Sequence, residues 1–244
     1  MDSTVITIEQ SDSHLIIRLN RPEKLNALSR EMIVALSDIF KSLDNEPNLR
    51  AVILTGTGDQ AFCAGSDTTE LAGPNEHGLS ERSQDLFSQI ESCNVPVIAA
   101  VNGIAAGAGC ELALACHLRI ASTNARFSLP EARSGIVGGY EGALEMLNGK
   151  VVSAEEALRF GLINCVVPAA ESIARAEDLA REIAQLAPLA IRACLEAVTQ
   201  GNRLPLAEGL ALEAKLFASL FDTEDVREGT SAFLEKRSPV FKGT

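Results

Sequence analysis

The amino-acid sequence contains few of the residues that mark common classes of protein. It has no tryptophan, one tyrosine and three histidines, and the histidines lie far apart at positions 14, 77 and 117. Such scattered positions do not provide the close spacing of metal ligands. The six cysteines include no Cys-x-x-Cys pair. We therefore expect reduced cysteines that are buried as small apolar residues, and no metal site.

Long apolar runs and an excess of positive charge are also missing. No apolar run approaches the ~18 residues that a membrane-spanning helix needs. Residues 1–4 show neither the basic region nor the apolar core of a secretory signal, so we expect a cytoplasmic protein, or a mitochondrial matrix protein if a transit peptide has been removed. The formal net charge of −12 disfavours nucleic acid and anionic membrane surfaces as partners.

Apolar strands alternate with helices over the first two thirds of the chain, which predicts an α/β fold. Residues 5–9 and 14–19 predict a hairpin, and Ser29 predicts the N-cap of a helix over 30–43. The other predicted elements are a strand buried on both faces at 51–56, a small-residue turn at 61–67, helices at 83–92 and 107–116, and strands at 95–101, 118–121 and 127–129.

From residue 154 onward the pattern is mainly helical. The helix predicted around 205–217 has more apolar surface than a lone helical appendage can bury. We therefore expect another subunit to cover it.

Two glycine-rich stretches do not fit nucleotide binding. The glycines at 103, 107 and 109 have the wrong order for a dinucleotide fingerprint, and no acidic ribose partner follows. Gly149 and Lys150 are followed by Val151 rather than by Ser or Thr, so they do not form a phosphate-binding loop.

A different reading pairs two small-residue turns, at 64–66 and 106–109, each of which follows a buried strand. Small side chains allow a ligand to approach the backbone, and the N–H groups at a helix start are free. The N–H groups of Ser66 and Ala108 could bind a thioester oxygen as it becomes enolate-like, an interaction worth ~10²–10³ in rate per donor. Tight packing of a strand on a helix would require the same small residues.

Two carboxylates follow these turns. Glu111 lies in an apolar helix, where a carboxylate is costly to bury unless it is partnered or used, and Glu131 follows a later strand. Two carboxylates that face one water can divide proton transfer between them. The spacing alone fits equally a capped Glu131 at the surface and a Glu111 that is bonded to nearby backbone.

The sequence resembles the crotonase (enoyl-CoA hydratase/isomerase) superfamily over nearly its whole length. The resemblance rests on FCAGSD at 62–67, PVIAAVNG at 96–103, GCELA at 109–113 and FSLPE at 127–131, with supporting matches at 20–22, 26–28, 153–157, 161–162, 227–229 and 233–237. It implies a spiral of ββα repeats over 1–168, which contains the active site, and a helical trimerisation region over 169–244. A homotrimer or a dimer of trimers is implied as well.

The resemblance also implies an acyl-CoA substrate, with no cofactor apart from the coenzyme A of that substrate. It places the oxyanion hole at the N–H groups of Ser66 and Ala108. It places CoA and substrate contacts along the loop and turns before the hole and at the C-terminal helix: Lys24, Asn26, Ala27, Ala64, Gly65, Asp67, Gly107, Phe233 and Lys236.

Hydratases of this superfamily have two glutamates, which match Glu111 and Glu131, whereas isomerases commonly keep one. The resemblance therefore implies reversible syn hydration of trans-2-enoyl-CoA to 3-hydroxyacyl-CoA, in which Glu111 activates water and Glu131 exchanges the α-carbon proton. The alternatives are a Δ3-Δ2-enoyl-CoA isomerase and a non-catalytic scaffold that binds acyl-CoA.

Three positions depart from the family pattern. Ala108 stands where glycine is usual, which keeps the N–H group but adds a methyl near the thioester. His117 stands where aspartate is usual, and we interpret it as a surface variation. The segment 134–144 is shorter than its family counterpart by roughly a dozen residues, more than ordinary loop variation.

Overall fold

A computed structural model describes residues 5–43, 46–71, 76–134 and 149–244 of the chain. Its larger sheet has six strands in the order β1-β2-β3-β5-β7-β10. The strands are β1 (Ile6–Gln10), β2 (His14–Leu19), β3 (Ala51–Gly56), β5 (Val97–Val101), β7 (Leu118–Ser122) and β10 (Cys165–Val167). The first two strands form the predicted antiparallel hairpin, and every other neighbouring pair in this sheet is parallel.

The larger sheet is covered on both faces, which explains its continuous apolar strands. In β3, Val52 and Leu54 pack into one core with helices α1 (Arg30–Ser42), α3 (Glu76–Glu91) and α4 (Ala108–Ala115). Ile53 of the same strand packs into a second core, against Ala176 and Ala180 of α6 (Ser172–Ala184). The strand predicted at 51–56, with both faces buried, is therefore confirmed.

The structure also contains a smaller sheet of short strands, of which the sequence predicted only the one at 127–129. It has the order β4-β6-β8-β9, with β4 (Ala61–Cys63), β6 (Ile104–Ala106), β8 (Arg126–Ser128) and β9 (Val152–Ser153). The prediction of a turn over all of 61–67 is wrong, because residues 61–63 form a strand. Three-residue strands of small side chains carry too little alternation to be recognised.

Consecutive strands of the chain alternate between the two sheets. β3, β5 and β7 lie in the larger sheet, and β4, β6 and β8 follow each of them directly into the smaller sheet. This repeated step from one sheet to the other agrees with the predicted spiral of repeated units. The three short strands run parallel, so their carboxyl ends lie at one edge.

The remaining helices are α2 (Thr68–Leu71), α5 (Ala154–Phe160), α7 (Pro188–Gly201), α8 (Leu206–Leu220) and α9 (Glu224–Glu235). Ser29 caps α1 as predicted, and its hydroxyl accepts a hydrogen bond from Met32 N–H at 3.2 Å. The helix predicted at 83–92 is longer and begins at Glu76. The predicted division at residue 168 stays a prediction. Helix α6, which lies beyond residue 168, packs on the larger sheet.

Candidate active site

Three chain segments meet at the carboxyl edge of the smaller sheet. Cys63 of β4 pairs with Ala105 of β6, and Ala106 of β6 pairs with Ser128 of β8. The segments that follow these strands contain Ser66, Ala108 with Glu111, and Glu131. Ligands of α/β proteins bind beyond the carboxyl ends of parallel strands. The fold therefore brings together the two predicted N–H groups and the segments that carry both predicted carboxylates.

The N–H group of Ser66 is oriented by its bridge to Leu28. Leu28 N–H donates to Gly65 O at 2.8 Å, and Asp67 N–H donates to Leu28 O at 2.8 Å. Both neighbours of Ser66 therefore bond towards Leu28, so Ser66 N–H points away from it. Gly65 has a φ of +113°, and a Cβ there would lie 3.0 Å from Ala106 O and 3.9 Å from Ala108 N. The two turns are thus in contact at a position that requires glycine.

Ala108 is the first residue of α4, and the helix packs very closely on β4. A Cβ on Gly109 would lie 2.0 Å from Cys63 O, so only glycine fits there. In the described part of the chain, neither Ser66 N–H nor Ala108 N–H donates to a protein acceptor. A free N–H at a helix start attracts negative charge.

Glu111 and Glu131 lie in the segments that follow β6 and β8 at this edge of the smaller sheet. Glu111 lies in the first turn of α4, is 5% exposed, and its N–H donates to Gly107 O at 3.0 Å. Glu131 begins a 3-10 turn, and a Cβ on Gly107 would lie 2.9 Å from its Oε1. Its Oε2 is buried and, among the described residues, has no hydrogen-bond partner. A buried carboxylate oxygen without a partner is costly, which favours a functional role.

Both carboxylates act electrostatically on Cys110, which directly precedes Glu111 in α4. Burial, reinforced by the negative charges of Glu111 and Glu131, raises the pKa of the Cys110 thiol to about 12. The thiol therefore stays protonated and is not a nucleophile near neutral pH. Proton transfer at this site falls to the carboxylates.

The predicted CoA loop lies against the turn at Ser66. Lys24 is exposed at the end of a 3-10 turn, and Ala64 N–H donates to Leu25 O at 3.1 Å. The side chain of Asn26 is buried and bonds Arg21 N–H, Thr57 O and Ala61 O. Its backbone N–H donates to Arg21 O, so only its backbone carbonyl is left for a ligand. The roles of these residues, and of Ala27, stay predictions.

The two C-terminal residues that were predicted to contact CoA are exposed and are not buried against the rest of the site. Phe233 lies in the last turn of α9 and is 83% exposed, and Lys236 follows at the end of that helix with its side chain in solvent. Their predicted contact with CoA remains a prediction. The shortened segment at 134–144 lies, apart from residue 134, outside the described residues.

Arg21 lies beside this site, and the sequence did not predict a role for it. Its guanidinium donates to Ala27 O and to Asp67 Oδ2, each at 2.8 Å. Hydrogen bonds from Thr69 and Arg21 lower the pKa of Asp67 to about 2. The only available signal was the position of Arg21 in the motif at 20–22, which does not reveal its partners.

The interpretation of His117 as a surface variation is wrong. Its Nδ1 accepts a hydrogen bond from Val97 N–H at 2.9 Å, and its Nε2 lies 3.1 Å from Glu91 O. Nδ1 must be unprotonated to accept, so Nε2 carries the hydrogen and donates to Glu91 O. Burial lowers the pKa of His117. The imidazole joins the end of α3 to the start of β5.

The cysteines only partly follow the expectation. All six are free, but Cys194 is exposed, and Cys93 and Cys165 are half-buried. Among the residues that the structure describes, no group of three or more His, Cys, Asp or Glu side chains could hold a metal ion. Within those same residues, no helix has both the length and the apolar character needed to cross a bilayer.

Comparison with known proteins identifies the family. A family model described as enoyl-CoA hydratase/isomerase matches residues 9–244. The chain belongs to the enoyl-CoA hydratase/isomerase family. The predicted resemblance to the crotonase superfamily is thereby confirmed.

Relatives in this family match the chain over nearly its full length. An (E)-benzylidenesuccinyl-CoA hydratase of Thauera aromatica is 38% identical, covering 98% of this chain and 99% of its own. A short-chain-enoyl-CoA hydratase of Clostridium acetobutylicum is 34% identical, covering 97% of each chain. The crystal structure of an enoyl-CoA hydratase from Bacillus anthracis, 36% identical, superposes with a TM-score of 0.94 over 98% of this chain and 100% of that one. The predicted fold class and the enzyme class, enoyl-CoA hydratase, are confirmed.

Proposed function

We propose that this enzyme adds water reversibly to trans-2-enoyl-CoA thioesters and gives 3-hydroxyacyl-CoA, with Ser66, Ala108, Glu111 and Glu131 as its catalytic groups. The observation that carries this assignment is the meeting of two free N–H groups and the segments of two glutamates at adjacent strand ends. Hydration of a conjugated thioester needs an oxyanion site and proton transfer at two carbons. Those needs match this set of groups.

Each group has a separate role in the proposed mechanism. The N–H groups of Ser66 and Ala108 donate to the thioester oxygen and stabilise the enolate that forms there. The Glu111 carboxylate takes a proton from water while the water oxygen bonds to C3 of the enoyl group. Glu131 in its acid form gives a proton to C2 from the same face, and the C2–C3 double bond becomes single.

No cofactor besides the coenzyme A of the substrate enters this proposal. Addition of water leaves the net oxidation state of the substrate unchanged, and the two N–H groups polarise its carbonyl. For coenzyme A we propose contacts with Lys24, the backbone of Asn26 and Ala27, the turn from Ala64 to Asp67, and Phe233 with Lys236 at the end of α9. The cytoplasmic location and the exclusion of nucleic acid and membrane partners stay predictions.

We also propose that the enzyme assembles as a homotrimer or a dimer of trimers. Four large apolar side chains recur at helical spacing along α8 and its C-cap and are exposed in the single chain: Leu206, Leu210, Phe217 and Phe221. The rings of Phe217 and Phe221 pack edge to face at 5.0 Å. A continuous exposed apolar stripe of this kind is typical of a subunit interface.

The test is an assay of hydration and of double-bond isomerisation with short-chain enoyl-CoA substrates, beginning with crotonyl-CoA. We expect Glu131→Gln and Glu111→Ala each to lower kcat for hydration by ~10²–10⁴, the usual worth of a general acid or base. Gly201→Ala serves as the control, because a Cβ there meets nothing within 4 Å. Unchanged hydration in Glu131→Gln would refute the assignment, and isomerase activity that survives Glu111→Ala would point to an isomerase.

A further inference from the structure

The oxyanion-hole N–H group of Ser66 is one end of a chain of hydrogen bonds. The carbonyl that shares its peptide group, Gly65 O, accepts from Leu28 N–H at 2.8 Å. The carbonyl that shares a peptide group with that N–H is Ala27 O, which accepts from Arg21 Nη1 at 2.8 Å. Two hydrogen-bonded peptide groups therefore connect the Arg21 guanidinium to the substrate side, and the second of them carries the free N–H of Ser66.

The geometry of the peptide group makes this chain directional. In a trans peptide the C=O and N–H groups point in opposite directions, and the described residues contain no cis peptide. A donor that bonds Ala27 O therefore aligns Leu28 N–H towards Gly65, and the bond to Gly65 O aligns Ser66 N–H towards the substrate side. Bonds aligned head to tail polarise one another, by about 10–30% per bond in condensed-phase estimates.

Arg21, which starts this chain of hydrogen bonds, is itself held in place by several contacts. Its side chain is 17% exposed, and its second guanidinium nitrogen pairs with Asp67, which is 7% exposed. Its backbone is fixed as well, because Arg21 N–H donates to Asn26 Oδ1 at 3.0 Å and Asn26 N–H donates to Arg21 O at 2.9 Å. Leu25 and Asn26 hold left-handed backbone angles, with φ of 51° and 56°, in the loop that this arrangement closes.

We propose that Arg21 is a positioning residue for the reaction: its positive charge, relayed through the peptide groups between Ala27 and Leu28 and between Gly65 and Ser66, orients and strengthens the Ser66 donor of the oxyanion hole. This inference rests on the proposed function, since it assigns that donor a thioester oxygen. In this proposal Arg21 acts on the substrate only through these peptide groups. Asp67 holds the guanidinium in the orientation that faces Ala27 O.

The experiment needs a measurement of hydrogen bonding in the oxyanion hole that does not depend on hydration activity. Butyryl-CoA labelled with ¹³C at the thioester carbonyl is saturated and does not react. Its C=O stretch, followed by infrared difference spectroscopy, moves to lower frequency when N–H groups donate to the oxygen. Crotonyl-CoA hydration gives kcat and KM for the same variants, and circular dichroism with thermal melting shows which of them fold.

We expect Arg21→Met to lose at least half of the wild-type frequency shift and to lower kcat about 10- to 100-fold, somewhat less than removal of a whole oxyanion donor. Arg21→Lys keeps the charge and one donor, so it retains most of the shift. Arg21→Gln keeps an N–H group without the charge, loses part of the shift, and tests the relay if Arg21→Met does not fold. The control is Arg18→Met, which removes an arginine whose guanidinium pairs with Glu9 at 2.9 Å on the first hairpin.

A wild-type frequency shift in Arg21→Met or Arg21→Gln overturns the relay, and so does an equal loss in Arg18→Met. Failure of the proposed function gives a different result. If the wild-type protein shifts the carbonyl frequency and hydrates no enoyl-CoA, the proposed reaction fails, and the shift measured in Arg21→Met and Arg21→Gln still decides the relay. If the wild-type protein binds butyryl-CoA and produces no shift, the oxyanion hole and the relay both fail.

Discussion

The close packing of α4 on β4 leads to a quantitative prediction for Gly109→Ala. The new Cβ would lie 2.0 Å from Cys63 O and 2.6 Å from Cys63 C, both backbone atoms that no side-chain rotation can move. Ordinary contact distances are about 3.5–4.0 Å, so the start of α4 and the end of β4 must separate by roughly 1 Å or more. That separation displaces Ala108 N–H from Ser66 N–H. A misplacement of ~1 Å in an active site can cost ~10²-fold in rate.

We therefore expect Gly109→Ala to lower kcat for crotonyl-CoA hydration by about 100-fold and to lower the free energy of unfolding by ~1–3 kcal/mol through overpacking. In an unobstructed helix the same change would stabilise the protein by ~0.5–1 kcal/mol, because alanine loses less backbone entropy than glycine. Gly201→Ala, at the end of α7, meets nothing within 4 Å and provides that comparison. The measurements are steady-state kinetics and urea unfolding of both variants. If Gly109→Ala matches Gly201→Ala in both, the helix start does not position the hole as described.

Two further predictions concern pH and assembly. Burial lowers the pKa of His117 in the folded protein, so the unfolded chain takes up a proton first as the pH falls below about 6.5. The free energy of unfolding should therefore decrease by at most ~1.4 kcal/mol per pH unit from this residue. Urea unfolding between pH 7.5 and 5.5 should show a smaller decrease in His117→Asn, and equal decreases in both proteins would contradict the assigned tautomer. Phe217→Glu places a charge in the exposed stripe of α8 and should shift the mass measured by light scattering from that of the oligomer to that of the monomer. Val34→Glu, at an exposed position on α1, should leave the mass unchanged. An unchanged mass in Phe217→Glu would exclude this stripe as the interface.

Much of the fold could be predicted from local patterns. The hairpin, the capped helix after Ser29 and the buried strand at 51–56 each carry their own signal, because alternation, caps and continuous apolar runs are encoded over a few neighbouring residues. The motifs at 62–67, 96–103, 109–113 and 127–131, with their supporting matches, were enough to indicate the family. The small residues at 64–66 and 106–109 were enough to predict two turns with free N–H groups.

Other features depended on residues that are distant in sequence. The short strands β4 and β6 exist because they pair with each other and with β8, and their own side chains are too few and too small to indicate a strand. His117 received the wrong interpretation because its partners, Val97 and Glu91, lie some 20 and 26 positions earlier in the chain.

The sequence by itself determined the family, the two carboxylates and the turns that carry the oxyanion donors, since these reside in short contiguous motifs. Only the tertiary structure decided how those motifs act on one another. The parallel pairing of β4, β6 and β8 brings three separate turns to one edge, and the bond from Arg21 to Ala27 O connects a charge to the hole. Such relations arise from register and backbone direction across sheets, and these depend on the packing of the whole core.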